Sequence, residues 1–579
     1  MCGSGNFNGL CSKNLTYQWK MGSRLLHGVF IPLILVTIVF SAHILWTCVF
    51  SKPDHGEMWL VNTKNKSKTN QISVNLHFHG EREQTFLPTN DLLISTVDWQ
   101  YLTETLQWPL PPEALSSLSD STDPAKCSFS ITNHRSQYFV GDVVIVTITA
   151  RNANNKQKVY GGDFFQAKLY DQELKASAYG EVTDHDNGTY TARLVLLWPG
   201  MSRVSVRLVH PSEAVLVLTK NREQDPDKVY FSGYFEEGTK RETVICNALK
   251  SSRLVGDGSQ CCCEYKDQVS GEYWYCRRPS SLSCNTLVYH SMGGYQAKLS
   301  ELEASLLKRP TNVEIQSDQP VIHAQKQGND ARTQNEKKCQ PGLQTPIPSG
   351  FFFQDGWTSL VCDARQFTTA ETVSTCLKDK QILMMGDSTL RQWFEHLEKT
   401  VPSLKRLNLH TSDKSGPFES VDLQSNTRII WRTHGLPLRT SKTPLADLHY
   451  IASELEGLAG GKHCVVVFTI WAHFTTYPLG VYLHRLAIIR RAVSSLLRRA
   501  PDTLVLIKSA NTGYKDVYGS DWLSWQLDKA LRVMFRDVPV VLIDVWQMTS
   551  CHYSPDNIHP PPVVVKNEVD LFLSFVCSQ

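Results

Sequence analysis

Gln381-Ile382-Leu383-Met384-Met385-Gly386-Asp387-Ser388-Thr389-Leu390-Arg391 is the stretch on which the reading of this chain turns. Apolar residues run into a glycine, an acid and a serine, and behind them Leu390, Trp393, Phe394 and Leu397 recur at helical spacing. That pattern predicts a buried strand turning sharply into a helix. The turn leaves the Ser388 hydroxyl at the carboxyl edge of a sheet, beside helix-start amides that lack intrahelical partners. Such amides stabilise an oxyanion, so Ser388 is the candidate nucleophile and its own N–H a candidate oxyanion donor. Gly-Asp-Ser also spells an ordinary turn followed by an N-cap, so the assignment depends on the rest of the chain.

Beyond residue 350 short apolar runs alternate with helical patterns. Strands are expected at 427–433, 464–470, 504–508 and 540–545, and helices at 445–458, 481–500, 522–535 and 563–575. Alternation of this kind predicts a parallel sheet covered by helices on both faces, with ligands outside the carboxyl ends of the strands. The last strand is followed by Ser554-Pro555-Asp556-Asn557-Ile558-His559-Pro560. An acid three residues before a histidine places both on one side of a helical turn. Asp556 can then accept from Nδ1 while Nε2 faces outward as a general base. Asp-x-x-His is also a common surface turn, and its information lies in its position after the final strand.

A first-strand serine and a last-loop Asp-x-x-His are the order of SGNH, or GDSL-type, esterases. Gly386-Asp387-Ser388-Thr389-Leu390-Arg391-Gln392-Trp393 and Asn557-Ile558-His559-Pro560-Pro561 resemble, more narrowly, the neurexophilin and PC-esterase (NXPE) family. That family joins a membrane anchor, a neurexophilin-like region of immunoglobulin-like character and a C-terminal PC-esterase domain of SGNH type. The resemblance implies a triad of Ser388, His559 and Asp556, and acyl transfer to or from carbohydrate hydroxyls. It also implies oxyanion donors in two further blocks, placed at Gly435 and at His473. Gly435 reads equally as a plain turn. In the block Trp471-Ala472-His473-Phe474, relatives carry Gly-Gln-His-Phe, so Trp471 departs from the pattern where glycine permits close backbone approach. The expected consequence is a reshaped backbone or an indole that narrows the pocket. Arg391, one helical turn past Ser388, is a candidate for an anionic substrate group, with an ion pair to Glu395 as the alternative. Asp387 is read as ordering the turn.

The other end of the chain supplies the address. Residues 25–50 hold no charged side chain and are rich in Leu, Ile, Val and Phe, long enough to span a bilayer despite Pro32. Lys13, Lys20 and Arg24 precede the run and no acid occurs before Asp54, so 1–24 is expected in the cytoplasm and the remainder in the lumen or outside. A cleaved signal ending near Ser41-Ala42-His43 is the rival, and would make the protein secreted. Of 16 cysteines, Cys2, Cys11 and Cys48 precede or lie in this run and an odd number follows it. An oxidising compartment would make most of the latter disulfides with at least one left over. Zinc is the other reading of the 261–284 cluster, but paired C-x-x-C spacing is missing and no metal is expected. Asn65 and Asn187 begin sequons open to glycosylation in such a compartment.

Between these ends, 51–120 reads as a stem, with 99–108 able to pack on a later domain. Residues 121–300 read as an immunoglobulin-like β-sandwich, with strands at 143–149, 164–170, 190–197 and 204–209 and a Cys-rich extension, in a structural or adhesive role. Residues 301–350 read as a linker and 351–579 as the esterase-like domain. In a chain of 579 residues a formal net charge of +3 without a basic tract excludes a nucleic-acid binder.

These readings converge on a single-pass type II protein of the secretory pathway, expected in the Golgi. The expected activity is glycan O-acetyltransfer through an acetyl-serine, with sialic acid on glycoproteins as acceptor. No bound cofactor is expected, and a donor such as acetyl-CoA would be a co-substrate. The same residues serve an O-acetyl esterase. The rival class is a catalytically inactive neurexophilin-like protein that binds a cell-surface partner.

Overall fold

The C-terminal half is built on a sheet ordered Lys405–Arg406, Phe418–Asp422, Thr427–Arg432, Gln381–Met385, Cys464–Phe468, Leu504–Lys508, Val541–Ile543 among the described residues. The computed structural model describes residues 94–225, 228–250, 254, 261–296, 298–318, 320–326, 337–411, 414–513, 520–554 and 557–578. The expected tail (1–24), the apolar run 25–50, Asn65 and Asp556 lie outside them. Among the described residues no helix is long and apolar enough to cross a membrane.

From Thr427–Arg432 to Val541–Ile543 the strands are parallel, and Phe418–Asp422 and Lys405–Arg406 extend the edge antiparallel. Alternate residues of a strand face opposite ways, and here both ways lead into protein. Leu383, Met385, Val466, Phe468, Val505 and Ile507 pack with the helices Ile451–Gly457, Leu479–Arg499 and Asp521–Phe535. Ile382, Met384, Val465, Val467, Leu504 and Leu506 face the opposite layer, with Ala370–Leu377, Ser388–Thr400 and Pro562–Val576. Burial on both faces is why these strands read as continuous apolar runs. The mixed α/β class is as expected. The expected helix 445–458 is a 3₁₀ turn, Leu445–Asp447, and a helix, Ile451–Gly457. The Phe418–Asp422 and Lys405–Arg406 edge strands were not anticipated.

In chain order the parallel strands run 2-1-3-4-5. The connection out of Gln381–Met385 goes to one side of the sheet, and the connection out of Thr427–Arg432 returns across it to Cys464–Phe468. Loops leaving Gln381–Met385 and Cys464–Phe468 therefore part at their carboxyl ends, which is the topological switch point where open α/β sheets take ligands.

Upstream, a sheet runs Ser128–Ile131, Val143–Thr149, Thr189–Val195, Ala176–Asp184, Phe164–Asp171, Gly200–His210, Ile322–Gln325, Tyr138–Phe139, antiparallel except for the last pair, which is parallel. Residues 313–314 and 322–325, in the stretch read as a linker, pair into this sheet, and Ile315, Ile322 and Ala324 are buried there. Three apolar anchors in a polar stretch are too sparse to announce strands. A second antiparallel sheet runs Cys263–Lys266, Tyr273–Cys276, Lys240–Asn247, Val229–Glu237, Leu287–Tyr295 and Thr443–Pro444. Its last member comes from the C-terminal half, so Tyr289 faces Pro444 and His290 faces Thr443 across the register. Disulfides join Cys246 to Cys276, Cys261 to Cys262, Cys263 to Cys284, Cys339 to Cys362 and Cys376 to Cys577, Cys127 and Cys551 are buried free thiols, and Cys464 is buried.

The helix Thr96–Leu106, within the stretch read as a stem, docks on Asp521–Phe535. Its buried Asp98 pairs with Arg490 at 2.7 Å and Arg536 at 2.9 Å. Trp108 donates to the Gly162 carbonyl at 2.9 Å and lies edge-on to Trp525. Lys168, buried on the Phe164–Asp171 strand, donates to the carbonyls of Cys551 at 3.2 Å and His552 at 2.9 Å, tying the first sheet to the segment that precedes the His559 loop. Lys168→Met keeps the aliphatic stem and leaves both carbonyls without that donor. It is expected to lower unfolding free energy by about 2–3 kcal/mol in urea melts, with a single transition retained.

Candidate active site

Ser388 opens the helix Ser388–Thr400, whose N-cap is Asp387. Asp387 Oδ1 accepts from the Thr389 amide at 2.8 Å and the Thr389 hydroxyl at 2.7 Å, which fixes the turn as an N-cap should. Leu390, Trp393, Phe394 and Leu397 form the helix's fully buried face. This anchored helix presents the Ser388 hydroxyl at the switch point.

Across the crevice, His559 Nε2 lies 2.7 Å from Ser388 Oγ, 171 residues away in sequence. Residues 557–560 form a bend and not a helical turn. The His559 amide donates to Asn557 Oδ1 at 3.0 Å. Desolvation holds the imidazole below its ordinary pKa, and Asp387 opposes this while Arg391 and Lys508 reinforce it. The ring is thereby neutral at pH 7 and able to accept the serine proton.

The His559 loop is held from the neighbouring strand by residues that carried no sequence signal. Asn511 Nδ2 donates to the Ile558 carbonyl at 2.9 Å, and Asn511 Oδ1 accepts from the fully buried Lys508 Nζ. Lys508 also reaches Thr389 Oγ1 at 3.2 Å, so one ammonium braces the loop and the serine helix together. Burial lowers the Lys508 pKa, against the nearby carboxylates of Glu568, Asp387 and Asp528. Gly513, at φ +117°, packs under the loop so closely that a Cβ would stand 2.3 Å from the Asn557 carbonyl carbon.

The third contributor is His473, after the Cys464–Phe468 strand. Its Nδ1 lies 3.0 Å from Nε2 of His434, a fully buried residue that sequence reading passed over. Burial lowers the His473 pKa to about 4, with Arg439 adding to the depression and Asp387 opposing it, and drives His434 well below its ordinary value. Two neutral imidazoles share one proton across such a contact. A His434 Nε2–H that donates across this contact places the His473 proton on Nε2, the donor an oxyanion needs.

A cavity of about 540 Å³ contains Asp387, Ser388, Arg391 and His473 in its lining, and neither Gly435 nor Trp471 is among its lining residues. Gly435 has φ +84°, with Tyr450 packed where a Cβ would stand. Trp471 is buried in the helical core with Ile470, Ala472 and Phe474, so the indole is placed away from the lining where a narrowing of the pocket was expected. Arg391 lines the cavity and also makes the alternative contact, pairing with Glu395 at 3.0 Å and donating to the Lys414 carbonyl at 2.9 Å. Asn187 sits on an exposed turn. Among the described residues no cluster of His, Cys, Asp or Glu is arranged to hold a metal ion.

The arrangement defines a serine–histidine site at the carboxyl edge of a parallel α/β sheet. Residues 357–577 match the family model for the C-terminal domain of NXPE family member 4-like proteins, and residues 110–302 match that for neurexophilin. The chain belongs to the NXPE family.

Gly513→Ala tests whether loop placement controls the pair. A displaced imidazole should slow modification of Ser388 by a fluorophosphonate by on the order of a hundredfold, while near-ultraviolet circular dichroism stays native.

Proposed function

We propose that the chain is an SGNH-type O-acyltransferase of the secretory pathway, acting on glycoprotein glycans with sialic acid as the leading acceptor. The observation that carries this reading is the 2.7 Å contact between Ser388 Oγ and His559 Nε2 at the mouth of the switch point. In the proposed cycle His559, oriented by Asp556, takes the proton of Ser388 as Oγ attacks the carbonyl carbon of an acetyl ester or of a thioester such as acetyl-CoA. The Ser388 amide and His473 Nε2–H stabilise the tetrahedral oxyanion, and Gly435, outside the cavity lining, takes no part in this cycle. The intermediate collapses, the leaving group takes the proton from His559, and acetyl-Ser388 remains. A sugar hydroxyl then gives its proton to His559 and attacks the acyl carbon, and the C–Oγ bond breaks as Ser388 Oγ takes that proton back from His559. Water in place of the sugar makes the same site an O-acetyl esterase, and the outcome depends on how far the closed site excludes water.

In the proposed topology residues 25–50 anchor the protein in the Golgi membrane, and the immunoglobulin-like region and the site lie in the lumen. The neurexophilin match over 110–302 supports a second reading, a cell-surface binding protein whose serine site is silent.

Fluorophosphonate labelling of the purified protein separates these. Labelling that disappears in both Ser388→Ala and His559→Ala is expected, and a folded wild type that stays unlabelled favours the binding reading. In cells, wild type is expected to raise O-acetyl groups on released sialic acids relative to Ser388→Ala. A fall identifies the esterase, and no change removes both sialic-acid versions.

The base must be unprotonated to act, and the His559 pKa lies below the ordinary value of 6.5. Turnover should therefore be level at neutral pH and fall tenfold per unit only on the acid side of a midpoint below 6.5, measured as kcat/KM against pH.

A further inference from the structure

The region matched by the neurexophilin model does more than stand beside the site. Tyr234, on Val229–Glu237, and Ser291 and Met292, on Leu287–Tyr295, line the same cavity as Ser388. Tyr234 Oη and Ser291 Oγ lie 3.0 Å apart. Met292 donates its amide to the Thr440 carbonyl at 2.8 Å, and the His290 ring meets the Leu438 carbonyl at 3.3 Å, so the wall is bonded to the loop that closes the cavity. That loop contributes Arg439, Thr440 and Lys442 to the lining.

Two features of this cavity identify what would occupy it. The first is the hydroxyl-bearing lining, with Tyr234, Ser291, Thr433, Thr440 and Ser441 beside Ser388. Such a lining suits a polyhydroxylated ligand. The second is charge. Arg391, Lys414, Arg439 and Lys442 all line the cavity, and its lining acid is Asp387. Lys442 is aimed rather than loose: its ammonium stands 4.1 Å from the Tyr289 ring centroid and 4.6 Å from that of Tyr234, with Glu236 Oε1 at 3.2 Å. Arg439 is held by the Thr476 hydroxyl at 2.7 Å and the Thr475 hydroxyl at 3.3 Å.

We infer that the sheet formed by Val229–Glu237 and Leu287–Tyr295 is the specificity wall of the Ser388 site, selecting an acidic sugar whose anionic group is taken by Lys442 and Arg439. This rests on the acyl-transfer reading for its role in turnover, but not for its role in binding. Lys442 and Tyr234 are specificity residues, acting on acceptor binding and not on proton transfer.

The test uses the full chain and two acceptors, a sialylated oligosaccharide and its carboxyl-reduced analogue, with acetyl-CoA and phosphate-free S-acetylpantetheine as alternative donors. Lys442→Ala should raise KM for the carboxylate acceptor about tenfold with kcat within about threefold, and bring the two acceptors toward equal KM. Lys442→Arg should restore the preference, Tyr234→Phe should weaken it, and Lys240→Ala, exposed on the same sheet away from the lining, should not alter it. An unchanged acceptor preference in Lys442→Ala overturns the inference. So does a change seen only as loss of discrimination between the two donors, which would assign the cations to donor phosphates. If wild type shows no turnover, the acyl-transfer reading fails by itself. Calorimetric binding of the two oligosaccharides to wild type and Lys442→Ala then decides the inference: selective, Lys442-dependent binding of the acid upholds it, and equal or absent binding overturns it.

Discussion

A parallel sheet cannot close on itself without sending its connections to one face or the other, and the strand order 2-1-3-4-5 makes that choice change at Gln381–Met385. The crevice, the helix start carrying Ser388 and the loop carrying His473 all arise from that reversal. Each strand is buried on both faces, so the sheet is rigid where the crevice opens, and loops fixed to it can hold side chains within a hydrogen bond's length. The 2.7 Å contact between Ser388 and His559 is a product of this frame.

Holding that contact takes an interior polar network. Lys508 is fully buried, yet its ammonium is shared between Thr389, beside the serine, and Asn511, beneath the histidine loop. Burying a charge is tolerable only with such partners and with carboxylates nearby, here Glu568, Asp387 and Asp528. Loss of Lys508 would relax the serine helix and the histidine loop at once. The cavity in front is lined by hydroxyl-bearing and cationic residues. A braced frame behind the site and a polar lining before it are what a preformed polar binding site requires.

The first and second sheets are not appendages of this frame. Lys168 fastens the first sheet to the Cys551 and His552 carbonyls, and Thr443–Pro444 completes the second sheet as its edge strand. Through that edge strand the second sheet reaches the cavity, which makes the upstream half part of the site's shape.

Local pattern was sufficient for much of this. Continuous apolar runs announced the doubly covered strands, Gly386-Asp387-Ser388 announced a strand-to-helix turn, and Trp108 was among the residues expected to pack on a later domain. These are properties of consecutive residues, and period and turn chemistry report them directly. Other features escaped because their signals are shared with ordinary residues. His434 and Asn511 look like turn residues until a partner from another strand stands beside them, and the strands at 313–314 and 322–325 borrow their pairing from a sheet already formed. Trp471 was expected to bear on the backbone or the pocket, and only packing decides that its indole enters the helical core and not the cavity lining. By itself, then, the sequence determined which segments become strands and helices and which side chains bear reactive groups. Tertiary structure alone decided which of those groups meet, because a contact across 171 residues depends on strand order and loop packing, and neither is written in any local run.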